Sequence, residues 1–472
     1  MRIRSLPRIV AAAASILLLL LIAGTASAEA AYSGFYGVNA QDLFLLPSST
    51  WDAHLAAMRA GGLDLVRRDA SWQTAEPTAP VNGVHTYQWS HFDTQVAAYA
   101  RHQLRWLPII DYSTTWSGLV PGSLFSRPAR IQDFTAYATA LARRYGRGGA
   151  FWRAHPELPQ MPVTRYEVWN EEDTDYFWRP QAAAPERYAD LYLATRSALH
   201  AADPVANVMV GGLTRPNGVF PTAFVQRMYA HRPDLRGHVD SFGFHPYDRT
   251  TGQVLNHVRH FRSLLQSVGA GDVPIDITEV GWPARTPSED SARASALARL
   301  ADQLPRSDCG VESLIPHTWV TFEQNVSSNE DWYGIENPNA TPKRSSSAYL
   351  STATRMRRSR SAQQAHICHP GSGPLLRLRV VRRGLRRRRL LVYSRCPSGC
   401  RLRLRLLSRP RGSSLHRRIL GRRSLTFSSR RRVVRFRISR RRRAVELDAL
   451  ALDRNGRSTR RRRLVRMRAL RV

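Results

Sequence analysis

Residues 273–319 read VPIDITEVGWPARTPSEDSARASALARLADQLPRSDCGVESLIPHTW. A short β-branched run, Val273–Thr278, gives way to a turn containing Gly281 and Pro283. Apolar residues then recur at three- and four-residue spacing through Ala292–Gln303, and a second apolar run occupies Glu312–Trp319. Strand, helix and strand in this order form the unit of a parallel sheet. The same alternation extends upstream. Candidate strands lie at Phe35–Asn39, Leu63–Arg67, Leu104–Ile110, Arg165–Trp169, Val208–Leu213 and Val239–Phe244, with helical periodicity at Phe92–His102, Phe134–Tyr145 and Glu186–Ala201. Eight strands over about 320 residues predict an α/β fold of the (β/α)₈ TIM-barrel type, at the large end of its size range. The rival is a doubly wound open sheet, which would favour a glycine-rich phosphate loop after the first strand. The segment GVNAQDLF at 37–44 offers none.

The pattern changes after this region. Residues 355–374, RMRRSRSAQQAHICHPGSGP, are polar and turn-rich. Beyond them apolar residues alternate with arginine in short runs such as RLRLRLLS and RRVVRFRIS. Period-two alternation over six or seven such runs predicts a small all-β module of the immunoglobulin-like sandwich type, apolar inside and arginine outside. At the other end, Arg2, Arg4 and Arg8 precede an apolar run from Val10 to Ala23 and an Ala26-Ser27-Ala28 site, the parts of a secretory signal. The run is shorter than the roughly 20 residues of a membrane span. The expected organisation is a signal peptide at 1–28, a catalytic barrel at 29–354, a linker at 355–373 and an Arg-rich module at 374–472. The mature protein is expected to be secreted or cell-surface associated, with no transmembrane span after signal cleavage.

Charge follows these boundaries. The 472 residues carry 71 basic and 36 acidic side chains, a net charge of +35, yet residues 361–472 hold 36 arginines and three acids, leaving the remainder near neutrality. A nucleic-acid reading of the whole chain is therefore excluded. Two readings of the tail arginines stand: a solvated sheet face, or a surface for an anionic cell-wall polymer. Alternating strand arginines have no base-reading device, so no specific nucleic acid is expected. An apolar content of 43 % excludes a disordered chain. Export permits disulfides among the four cysteines. Cys396 and Cys400 flank a Pro-Ser-Gly turn and form an expected local bridge, which leaves Cys309 and Cys368 as the other pair.

In a parallel barrel, reacting groups sit at the C-terminal ends of strands. The fourth strand runs into Asn170, Glu171 and Glu172, and the seventh ends at Glu279. Two carboxyls facing each other across a barrel mouth are the minimal equipment for breaking a glycosidic bond. The sixth strand is followed by His245 and Tyr247, the second ends at Arg67 and the eighth at Trp319. Alternation along LDLVR puts Leu63, Leu65 and Arg67 on one face, which selects Arg67 over Arg68. Glu172 is expected to be a solvated neighbour. No cluster of His and Asp with metal-ligand spacing marks the strand ends, and neither metal nor cofactor is expected.

On these residues the chain resembles the clan A retaining glycoside hydrolases, with the greatest likeness to family 39 and the cellulase-like family 5, over about residues 34–353. The resemblance implies Glu171 as acid/base, Glu279 as nucleophile, and Asn170 as a partner of the sugar 2-hydroxyl. It implies that Arg67 and Tyr247 hold the nucleophile ionised, that His245 flanks the acid/base, and that Trp319 forms a stacking wall under the cleaved sugar. Trp282, beside the nucleophile, is a second stacking candidate. The sequence departs from the commoner Asn-Glu-Pro form by having Glu172 and Asp173 after Glu171. The implied activity is hydrolysis of β-linked O-glycosidic bonds in a polysaccharide or oligosaccharide. The alternative from another class is a non-catalytic carbohydrate-binding or cell-surface scaffold protein attached through its basic module.

Overall fold

The computed structural model describes residues 34–359, 367–368 and seven strand segments between 377 and 466. The expected signal peptide at 1–28 and Cys396, and with it the expected Cys396–Cys400 bridge, lie outside the described residues. Eight strands form one sheet in the order of the chain: β1 (Gly37–Asn39), β2 (Leu65–Ser71), β3 (Arg105–Asp111), β4 (Arg165–Val168), β5 (Asn207–Leu213), β6 (Ser241–Phe244), β7 (Ile275–Ile277) and β8 (Val311–Leu314). Neighbours pair in parallel throughout. A parallel bridge between Tyr36 and Leu314, with Leu314 N–H donating to Phe35 O at 2.7 Å, closes the ring. Closure in sequential order excludes the open-sheet rival and establishes a (β/α)₈ barrel.

A helix follows each strand and covers the sheet with an apolar stripe. After β7 it is Pro287–Gln303, begun by a capping box in which Thr286 Oγ1 accepts from Glu289 N–H while the Glu289 carboxylate accepts from Thr286 N–H. Its residues Leu297, Leu300 and Ala301 are fully buried. The last helix, Arg344–Arg358, passes the expected boundary at 354 because Met356 is buried and Arg357 reaches Asp64 at 2.7 Å. Cys368 is disulfide-bonded to Cys309, and its N–H donates to Asp308 at 2.8 Å. Residues 367–368, inside the expected linker, are thus tied to the barrel. Among the described residues no helix is long and apolar enough to cross a membrane.

Strand parity places the inner residues. Leu65, Leu107, Met209 and Ile315 form a small cluster inside the barrel, while Val66 and Trp106 join the core shared with the helices. Arg67 has the parity of Leu65 and is fully buried. Strand β2 runs four residues past the expected Arg67, so Asp69 and Ser71 continue the inward set. Strand β8 instead ends at Leu314, five residues before Trp319.

Among its described residues the C-terminal module has seven antiparallel strands in two sheets. Strands β9 (Arg377–Arg383), β10 (Arg389–Arg395) and β13 (Arg432–Arg437) make one, in the order β13-β10-β9. Strands β11 (Cys400–Ser408), β12 (Ile419–Phe427), β14 (Ala444–Leu452) and β15 (Ser458–Arg466) make the other, in the order β12-β11-β14-β15. Leu390, Val392, Leu404, Phe436 and Leu447 belong to one buried cluster drawn from both sheets. The alternating pattern is thus a sandwich. One arginine stripe is drawn partly out of solvent, however: Arg405 is buried and Arg403 half-buried, while Arg401 stays exposed. On β11, Leu402, Leu404 and Leu406 face the module core, and Arg401, Arg403 and Arg405 face the barrel. Arg405 pairs with the buried Glu312, Arg403 lies 3.9 Å from the same carboxylate, and Arg401 donates to Gly269 O at 3.2 Å.

Candidate active site

The site is built on Arg67. From the middle of β2 its guanidinium fans across the barrel, donating to Glu167 at 2.6 and 3.1 Å, to Asn170 Oδ1 at 2.7 Å and to Glu279 Oε1 at 2.6 Å. A buried guanidinium needs such compensation, and its rigid fork lets one side chain orient three others. Taking Oδ1 of Asn170 leaves that side chain's Nδ2 donor for a ligand.

Glu279 stands two residues past β7. Besides Arg67 it accepts from the Tyr247 hydroxyl at 2.8 Å and from Asn39 Nδ2 at 3.3 Å, while His245 Nδ1 and His317 Nδ1 lie 3.7 and 3.8 Å away. Burial raises the carboxyl's pKa, but His245, His317, Arg67 and the Tyr247 hydroxyl outweigh it and hold Glu279 well below the usual carboxylate range. Burial, then the facing Glu279, pushes the Tyr247 hydroxyl well up, so it remains a donor. Burial would lower His317, but Glu279 and Glu330 more than offset it and raise its pKa.

Glu171 reaches the opposite side of the cleft. Its Oε1 lies 2.7 Å from His245 Nδ1, and His245 Nε2 lies 3.1 Å from Thr278 Oγ1. The His245 ring is fully buried, and β5 makes room for it. A Cβ on Gly212 would come within 1.9 Å of His245 Nε2, and one on Gly211 within 2.2 Å of Glu172 Oε2. The pair in NVMVGGL is therefore the space taken by the two residues behind the acid. Glu171 and Trp169 have φ of 47° and 69°, and Tyr112, just past the end of β3 and in edge contact with the Trp169 ring, has 59°. Left-handed backbone at three non-glycine residues around one cleft marks local strain at the site.

A carboxylate oxygen of Glu171, one of Glu279 and a ring nitrogen of His245 all lie within 4.8 Å of one another. Three such ligands could in principle hold a cation, but the Arg67 guanidinium on Glu279 already supplies positive charge there. The cavity above them has a volume of about 540 Å³. Asn39, Gln41 and Asp69 line one part of it, Tyr112 and Phe177 a second, and His317 and Tyr333 a third.

The expected residues thus divide. Glu171, Glu279, Asn170, Arg67 and Tyr247 line this cavity, and His245 lies directly behind it. Trp319 does not form the wall. Because β8 ends early, the chain turns and buries the indole completely, with Nε1 donating to His54 Nδ1 at 2.9 Å under the helix Ser48–Ala60. His317 and Tyr333 occupy the wall instead. Trp282 is half-buried and donates to the carbonyls of Asp248 and Arg249, bracing the loop that carries Tyr247. Glu172 is not solvated. It is fully buried beneath β5, where burial and then Asp173 push its carboxyl well up. Asp173 accepts from Thr214 N–H at 3.1 Å, and burial raises it to about 7.

No family model matches the sequence, and no curated protein matches it in sequence. Solved structures do share its fold. A family 39 glycoside hydrolase from the gut symbiont Bacteroides cellulosilyticus WH2 superposes with a TM-score of 0.53 at 14 % identity, over 85 % of this chain and 80 % of that one. A glucosidase from Croceicoccus marinus gives 0.52 at 13 % identity, over 88 % and 96 %. A monomeric beta-xylosidase from Caulobacter crescentus CB15 gives 0.50 at 15 % identity, over 87 % and 95 %. The chain is therefore similar in fold to barrels of these hydrolases.

Proposed function

We propose that the protein is a retaining β-glycosidase with Glu279 as nucleophile and Glu171 as acid/base. The observation that carries this is the carboxyl pair itself, with oxygens within 4.8 Å and one member locked as a carboxylate. Retaining enzymes hold their carboxyls about 5–5.5 Å apart, whereas inverting enzymes leave roughly 6.5–9.5 Å for a water. In the first step a Glu279 oxygen bonds to the anomeric carbon as the glycosidic bond breaks, and the Glu171 proton goes to the departing oxygen. In the second step Glu171 takes a proton from water, the water oxygen bonds to the anomeric carbon, and Glu279 leaves as carboxylate. Asn170, fixed by Arg67, supplies the donor for the sugar 2-hydroxyl. Proton NMR of the first-formed product is expected to show the β configuration retained. Initial appearance of the α anomer would overturn the double-displacement reading even with hydrolysis intact.

The acid limb of the pH profile follows from the same contacts. Reaction needs Glu279 ionised, so depressing its pKa moves the acid limb of kcat/KM below the ordinary glutamate value of about 4.3. Tyr247→Phe removes one of the groups holding it down, and the limb is expected to move upward. Profiles of the two enzymes on one aryl β-glycoside check this, and superimposable limbs would contradict it.

The reading includes export through the N-terminal segment and retention by the Arg-rich module on an anionic cell-wall polymer. Arg401, Arg403 and Arg405 are engaged by the barrel, so arginines elsewhere in the module would make those contacts. Retention of the full chain on isolated cell walls is expected to fall steeply as salt rises to about 0.5 M, because screening shortens the Debye length to a few ångströms. Salt-independent retention would point to a neutral-sugar site.

A further inference from the structure

The cavity wall carries a carboxyl that the two steps above do not use. Asp69 stands two residues past Arg67 on β2, with the same inward parity, and is half-buried where it lines the cavity. Gln41 braces it. Gln41 Oε1 accepts from Asp69 N–H at 3.1 Å, which leaves the amide nitrogen to donate to the Asp69 carboxylate.

A second support comes from Asp111, at the end of β3. Ser71 and Asp111 pair in register, so Asp69 and Asp111 are diagonal neighbours on the inner face of the sheet. Asp111 is fully buried, and no N–H or O–H donor among the described residues reaches either of its carboxyl oxygens. A buried carboxyl without a donor stays protonated, and the hydrogen-bond partner of Asp111 is Asp69. Burial, then the facing Asp69, pushes the Asp111 carboxyl well up. Asp111 thus donates the shared proton, and Asp69 is the acceptor that meets the cavity.

The direction of the reaction decides what Asp69 meets. Glu279 attacks the anomeric carbon, so the sugar being cleaved lies over Glu279, while the leaving group departs past Glu171. Asn39 of β1 and Arg67 of β2 both donate to Glu279, which puts these strands, and Asp69 with them, on the nucleophile's side. Tyr247 and Tyr333 stand there too. The Tyr247 hydroxyl is spent on Glu279, and the Tyr333 hydroxyl can donate or accept, so neither discriminates by charge. The carboxyls do. Asp69, Glu171, Glu279 and Glu330 line the cavity with Arg67 and His317. Arg67 is committed to Glu167, Asn170 and Glu279, and His317 stands 3.8 Å from Glu279 and 3.3 Å from Glu330. A carboxylate on the sugar would meet like charge at Asp69, whereas a hydroxyl can donate to it.

We propose that Asp69 selects the sugar being cleaved, accepting a hydrogen bond from a hydroxyl of a neutral sugar and excluding a uronic acid. This rests on the glycosidase reading above. The test uses the full-length protein and aryl β-glycosides that share one leaving group. The β-glucoside, β-galactoside and β-mannoside are each set against the uronide with the same ring, and the β-xyloside against the β-glucuronide. Each is supplied as a single sugar and as the end of an oligosaccharide. For the best neutral substrate, wild-type kcat/KM is expected to exceed that of its uronide by at least about 100-fold, through a lost hydrogen bond and an added like charge. In Asp69→Asn that ratio is expected to fall at least about tenfold, because the amide keeps an oxygen for the Asp111 proton but carries no charge. Asp69→Ser, smaller and also uncharged, is measured alongside and is expected to narrow the ratio in the same direction. A wild-type enzyme that cleaves a uronide as well as its neutral counterpart overturns the proposal without any variant. An unchanged ratio in the variants, including equal losses on both substrates, reduces Asp69 to a structural part and overturns it too. A wild-type protein inactive on the whole panel overturns the glycosidase reading itself, a pattern distinct from either.

Discussion

Glu279→Ala is expected to lower kcat/KM by at least about 10⁴-fold, the scale of losing a covalent nucleophile. The fold should survive the change. Arg67 keeps its two contacts to Glu167 at 2.6 and 3.1 Å, so the substitution leaves a balanced buried pair rather than an orphaned guanidinium. Alanine also opens space where the carboxylate stood, beside Arg67, His317 and the Tyr247 hydroxyl, all suited to a small anion. Added azide should enter there, attack the anomeric carbon and release an α-glycosyl azide, inverted relative to the substrate. Hydrolysis that persists in Glu279→Ala, or rescue yielding the β-azide, would remove Glu279 from the nucleophile role. Stability carries a matching signature. The folded-state pKa of Glu279 lies below its unfolded value, so its ionisation stabilises the fold above pH about 4.5, and that contribution is lost as pH falls through the folded value. The melting temperatures of wild type and Glu279→Gln should therefore converge in acid.

The repeated strand–helix pattern was legible because each strand of this barrel is a short β-branched run between amphipathic stretches. Alternation was enough to choose Arg67, since parity alone decides which of two adjacent arginines enters a barrel. Glu171 and Glu279 were legible because they fall within three residues of strand ends, where the fold itself limits the geometry. Trp319 was misplaced for a related reason. The run ESLIPHTW reads as one strand ending at Trp319, but β8 stops at Leu314, so Trp319 lies five residues beyond the strand end and is buried against His54. Glu172 was assigned to solvent as a charged residue in a loop. Only the three-dimensional neighbourhood, with Gly211 of β5 packed against its carboxylate, shows that it is enclosed. Asp69 required knowing that β2 continues past Arg67, and Tyr112, Tyr176 and Phe177 come from loops whose course no periodicity describes. The GG of NVMVGGL was the one available signal for the buried His245, since paired glycines inside a strand mark a close approach.

Removing the acid/base should produce a different pattern of loss from removing the nucleophile. Glu171→Ala is expected to reduce kcat/KM on natural β-oligosaccharides by roughly 10²–10⁴-fold, the usual contribution of a positioned general acid. A fluoride or dinitrophenolate leaving group departs without a proton, so kcat/KM on those substrates should change far less. The dependence on leaving-group pKa should steepen accordingly, because charge then builds on an oxygen that nothing neutralises. The acid limb of the pH profile, which belongs to Glu279, should remain. Azide should accelerate turnover here too, but from the other face. With Glu279 intact the glycosyl-enzyme still forms, and azide attacks it from the side that Glu171 vacated, giving the β-glycosyl azide. The two alanine variants thus yield azides of opposite configuration from one substrate, a result that only two carboxyls on opposite faces of the sugar can produce. Equal losses on activated and natural substrates, or α-azide from Glu171→Ala, would assign Glu171 a structural role beside His245 and leave proton donation to another group.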